Sequence, residues 1–172
     1  MSDEPHTKTV IEIQSVEKRV LQHVWAKMRA GTALEGSEVY IGRSMAEHPM
    51  WFPLFETLGL LEGDDELPDG TNPYVHLTFH MLIGAQIFHQ QPPQATQFYK
   101  RRLNKGEDSH SIAHMMIDVF KKQLFLTAQR GLAPEDFDLK KYGRTLQSLQ
   151  SLPKAKVWAK LGYESDPSHH EA

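Results

Sequence analysis

Cysteine is absent from the chain, and that single absence removes a disulfide framework, an iron–sulfur cluster, a thiolate zinc site and a cysteine nucleophile. Any bound metal would have to rely on imidazole and carboxylate ligands. Long apolar runs are missing as well. The most apolar stretch, Tyr74 to Phe88, is interrupted by two histidines and a glutamine and is too short to span a bilayer, so no membrane role is expected. The opening Met1-Ser-Asp-Glu-Pro has neither the basic start nor the apolar centre of a signal peptide, which makes the cytoplasm the expected location. No glycine loop is built to cradle phosphate, no segment repeats, and no alternating strand pattern is bounded by hairpin turns. No serine, threonine or lysine nucleophile stands beside a matched base. The sequence therefore assigns no catalytic residue and leaves open whether the chain is an enzyme.

What is present reads as all-α, a single-domain helical bundle of about five to six helices over residues 9–161, with a flexible N-terminus 1–8 and a disordered tail 162–172. From about Thr9 to Arg29, Val10, Ile13, Val16, Val20, Leu21, Val24, Trp25 and Met28 recur at helical spacing until Gly31 stops them. A second helix begins at a Ser37 N-cap and ends before Pro49, because a residue preceding proline is pushed out of the α region. Trp51 to Leu61 forms a short helix or turn, and the charged stretch Gly63 to Gly70 is the clearest loop and the expected mobile segment. Asn72-Pro73 pairs an N-cap with a first-turn proline and starts a helix that runs to about Gln91, where Pro92-Pro93 breaks it. Further helices span Gln94 to Lys105, Asp108 to Gly131 and Pro134 to Gln150, and Pro153 to Leu161 supplies a last turn.

Two His-x3-His pairs carry the chemistry. At about 100° per residue, His76 and His80 lie roughly 40° apart, on the stripe that Ile83 and Ile87 continue, and so face the core. His110, His114 and Asp118 repeat the i+4 step within an arc of roughly 80°, although Lys121 and Lys122 fall near that side and give it a wetter character. His48 shares the inward face of Ile41 and Met45, with Glu38 one to two turns earlier. Glu17 sits on the apolar face of the first helix, where a carboxylate is costly unless paired or metal-bound. His89 points to the polar side and is excluded.

Helices that aim histidines and carboxylates into a bundle are a standard way to hold a divalent ion. The candidate ligands are His48, His76, His80, His110, His114 and Asp118. Iron or zinc head the list of suitable ions, with manganese and nickel behind. The second position of neither pair is the Glu of an HExxH zincin. The simpler alternative is a set of core histidines satisfied by carboxylates and backbone, with His114 and Asp118 an ordinary i,i+4 pair.

Charge is unevenly spread, since residues 1–96 carry six basic against thirteen acidic side chains and residues 97–161 carry thirteen against six. A second function class follows from it: a non-enzymatic interaction protein whose basic C-terminal half meets an acidic protein or structured RNA. Lys100-Arg101-Arg102 and Lys105, beside Phe98 and Tyr99, are its candidate contacts, or else a solvated helix end favoured by the dipole. His169-His170 is read as inert.

The stretches Thr71-Asn-Pro-Tyr-Val-His-Leu-Thr-Phe-His80 and His110-Ser-Ile-Ala-His-Met-Met-Ile-Asp118 resemble a bacterial family catalogued only as domain of unknown function 1841. Glu47-His48-Pro49, the Trp25-x-Lys27 region and Ala128-Gln129-Arg130 are similar too, so that the resemblance covers roughly residues 15 to 150. It implies a small helical bacterial protein with a shared histidine motif set, and no activity. A looser similarity, of chemistry rather than motif order, joins the chain to hemerythrin-like and DinB-like bundles, whose metal ligands are also histidines and carboxylates.

Overall fold

The computed structural model describes residues 18–57 and 72–169, and among them every regular element is helical. Eight α-helices follow in order: α1 Lys18–Ala30, α2 Glu38–Ala46, α3 Phe52–Glu56, α4 Pro73–His89, α5 Pro93–Leu103, α6 Ser109–Gln129, α7 Leu139–Leu149 and α8 Lys154–Leu161. The two beyond the expected five to six are the short α3 and α8, which fall in the stretches read from sequence as a short helix or turn and as a last turn of helix. Glu17, the Gly63–Gly70 loop and His170 lie outside the described residues.

Helix ends follow local chemistry. Asn72 Oδ1 accepts the backbone N–H groups of Tyr74 and Val75 at 3.0 and 3.1 Å, satisfying two donors that the first turn of α4 leaves open. Asp108 does the same for Ser111 at 2.9 Å and starts α6. Gly31 and Gly131, at φ +66° and +68°, close α1 and α6 in the left-handed region that a side chain would resist. The helix expected from Pro134 to Gln150 is divided instead. Asp136 takes the N–H of Ala133 and holds Pro134–Asp136 as a 3-10 turn, and Asp138 then caps a fresh start by accepting from Lys141 at 2.8 Å.

The helices pack into two units, each with its own interior: residues 18–57 and 72–82 in one, residues 83–169 in the other. In the first, Leu21, Val24 and Trp25 of α1 meet Ile41 and Met45 of α2, Trp51, Phe55 of α3, and Tyr74, Leu77 and Met81 of α4. Each such side chain contributes about 1.5–3 kcal/mol by leaving water. Side chains crowd onto α2 at Gly42, where a Cβ would collide with the Leu34 side chain and touch those of Met28 and Val24 in α1. Lys27 fastens the same two helices through Glu38 at 2.7 Å.

The second unit is organised around α6, whose residues Ser111 to Ile117 are all buried. Tyr142 of α7 donates its hydroxyl to Gln86 at 2.8 Å, and Phe120 stacks on Phe137 and meets Tyr142 edge-on. Arg102 is fully buried. Its guanidinium grips Glu107 through two bonds of 2.8 and 2.9 Å and donates to the carbonyls of Leu149 and Leu152 at 3.3 and 3.1 Å, fastening the C-terminal end of α7 to α5. Beyond Gly162 the described residues carry a polar contact set centred on Asp166. Asp166 accepts from Ser111 and Ser168 at 2.6 Å and pairs with Lys154 at 2.6 Å, a polar anchor that no hydrophobic pattern announces. Among the described residues no helix is long and apolar enough to cross a membrane.

Candidate metal centre

His48, His76, His80, His110 and His114 are the described residues that could hold a metal ion, each by one ring nitrogen, and all but His110 are buried. They fall into a triad in the first unit and a pair in the second.

The triad begins at a proline. Pro49 forces His48 out of the α region, to φ −123° and ψ 64°, so α2 stops at Ala46. The His48 backbone N–H then bonds Met45 O rather than Ser44 O, and the Ser44 carbonyl is left without its helical donor. The side chain of His48 fills that role, with Nδ1 2.6 Å from Ser44 O. A carbonyl only accepts, so Nδ1 carries the proton, and the neutral ring must present Nε2 as a bare lone pair. That lone pair faces His76 Nε2 at 2.9 Å, and His76 Nε2 in turn lies 3.0 Å from His80 Nε2.

Three Nε2 atoms thus meet around His76. One N–H on His76 could be donated to one neighbour only, whereas a cation is shared by all three. On its far side His80 turns Nδ1 towards Glu47 Oε2 at 3.7 Å, a carboxylate–histidine arrangement of the kind that orients metal ligands. Trp51 lies flat on His48, with ring centres 4.5 Å apart, and sets its plane nearly at right angles to the His76 ring. The indole shields these rings from water and restricts their rotation. His48 is completely buried, and His76 and His80 nearly so.

In the second unit, His110 and His114 stand one turn apart on α6 with their Nε2 atoms 2.9 Å from each other and their rings nearly perpendicular. The wet face that nearby lysines suggested belongs to the C-terminal half of the helix, since His114 is buried. Asp118 stands apart. It joins neither histidine group; burial pushes its carboxyl up, and a hydrogen bond with Tyr163 and the charge of Lys121 draw it back only in part. Glu38 is also spoken for. Lys27 holds its carboxyl below the usual range, and His23 sits 3.2 Å away. His89 is exposed, as expected.

Glu47 and Trp51 escaped the sequence reading as parts of a site. The only signal was Glu47's place beside His48-Pro49, which says nothing of where its carboxylate points. The basic run of α5 changes meaning: Arg102 is an internal clamp, and Lys105 reaches the carbonyls of Gln150 and Ser151 at 3.5 Å. Two of its four charges thus serve the C-terminal end of α7, which weakens the case for a nucleic-acid face there.

A family model described as Domain of unknown function (DUF1841) matches residues 14–148. No curated protein and no solved structure matches the chain.

Proposed function

The chain belongs to the DUF1841 family, whose description supplies no activity, and from the site itself we propose that it binds a divalent metal ion through imidazole nitrogens. The observation that carries this is the pinned tautomer of His48: with Nδ1 committed to Ser44 O at 2.6 Å, its Nε2 lone pair is aimed at two further buried Nε2 atoms. Zinc–imidazole bonds of about 2.0–2.1 Å place neighbouring ligand nitrogens about 2.9–3.4 Å apart for angles between a right angle and the tetrahedral value. The separations of 2.9 and 3.0 Å lie in that range. Ser44 O, Glu47 and Trp51 suit such a centre: a carbonyl that sets the His48 tautomer, a carboxylate charge 3.7 Å from His80 and an aromatic wall against water.

His48, His76 and His80 are the primary ligands in this reading, and His110 and His114 are further imidazole donors; Asp118 is left out because its partners lie elsewhere. An all-imidazole set suits iron and zinc among the abundant divalent ions. When bound with an open position, such an ion supplies Lewis acidity and a more acidic water. Elemental analysis of purified protein tests the proposal. The expected result is stoichiometric iron or zinc, lost in a His76→Ala/His80→Ala variant, with ions per chain in wild type and in His110→Ala/His114→Ala distinguishing one centre from two. Wild-type protein that is metal-free and gains no thermal stability from iron(II) or zinc would overturn it.

A further inference from the structure

A second feature lies away from the histidines. Helices α6, α7 and α8 enclose a cleft of about 360 Å³, at the small end of the range for small-molecule sites. Its floor is aliphatic, with Leu126 and Leu149, and Lys122, Lys141 and Lys160 border it, one from each helix. Among the described residues none of these three ammonium groups has an ion-pair partner, and no carboxylate or aromatic ring lines the cleft. Gln123 also lines it. Among the described residues its amide makes no hydrogen bond within the protein, so it is open to a ligand in the cleft.

Like charges gathered around one hollow repel, and an anionic group bound among them relieves that repulsion while the Gln123 amide can donate to it. The aliphatic floor cannot be covered by an anion alone. We propose that this cleft binds a small amphiphilic anion, a carboxylate or phosphate head on a short aliphatic chain, with the three lysines and the Gln123 amide on the head and Leu126 and Leu149 against the chain. Helices α6 to α8 place cationic and apolar groups on one hollow, as recognition of such a molecule requires. The site is independent of the metal reading and would survive its failure.

Calorimetric titration of the full-length protein with octanoate, octyl phosphate, 1-octanol and inorganic phosphate tests this. Octanoate or octyl phosphate should bind at least about tenfold tighter than octanol and than inorganic phosphate, since hydrogen bonds to charged groups are the stronger kind. The tighter of the two identifies the head group. A Lys141→Gln/Lys160→Gln variant, which keeps the length of both side chains, should lose that preference while its circular dichroism and metal content stay as in wild type. Gln123→Leu should weaken the anions and leave octanol unchanged. Equal binding of octanol and octanoate, anion binding unaffected by the lysine changes, or no binding of either anion would each overturn the proposal.

Discussion

Replacing His76 with alanine probes the site and the fold together. Its Nε2 stands between those of His48 and His80, at 2.9 and 3.0 Å, and its ring meets the edge of Trp51 at 5.1 Å. Deleting it removes one buried hydrogen bond, worth about 1 kcal/mol net, and opens a hollow beneath the indole. Truncating a larger aromatic ring costs about 3–5 kcal/mol, so the smaller imidazole should cost about 2–4 kcal/mol in metal-free protein. For a chain of this size about 2–4 °C of melting temperature accompanies each kcal/mol, giving a fall of about 4–16 °C. Metal adds a separate signature. An ion held at a hundred times its dissociation constant stabilises wild type by about 2.7 kcal/mol, a rise of about 5–11 °C that the variant should not show. Thermal denaturation followed by circular dichroism, with chelator and then with zinc or iron(II), reads both effects. A variant that melts within about a degree of wild type in chelator would refute the burial argument. Equal metal-dependent rises in the two proteins would refute the placement of the ligands.

Arg102→Met should cost about 3–5 kcal/mol in denaturant unfolding, because Glu107 and two carbonyls at the end of α7 lose their donor; adding Glu107→Leu should recover part of the loss, and a loss below about 1 kcal/mol would contradict the clamp. For Asp166, burial raises the carboxyl, but hydrogen bonds from Lys154, Ser111 and Ser168 outweigh it and hold the group well below the usual carboxylate range. A lowered folded value means that its stabilising effect is fully present above the ordinary aspartate value, about 3.9, and is lost as pH falls through the lower folded one. Wild type should therefore exceed Asp166→Asn in melting temperature at neutral pH and converge on it in acid; a difference that is constant with pH would contradict the assignment.

Much of the local structure was legible because it depends on neighbours in sequence. Asn72-Pro73, Asp108, Gly31, Gly131 and the residue before Pro49 acted as stops and starts, since caps, left-handed turns and proline sterics are decided within a few residues. The i+4 spacing likewise put His76 and His80 side by side. Other features answered to distant partners. Arg102 looked like one of four surface charges, and only the approach of the α7 terminus made it an internal clamp. Asp166 sat in a segment with no apolar pattern and found Ser111 fifty-five residues away.

The sequence by itself determined that the chain is helical, that any metal it holds must be bound without thiolate, and that imidazoles repeat at i+4 on α4 and α6. Backbone periodicity and side-chain chemistry suffice for that. Only the tertiary structure decided that His48 turns a lone pair towards His76, that Glu47 and Trp51 stand behind these rings, and that Asp118 looks towards Tyr163 instead. Those outcomes rest on an orphaned carbonyl at the end of α2 and on contacts between helices far apart in the chain. No spacing rule encodes where such atoms meet.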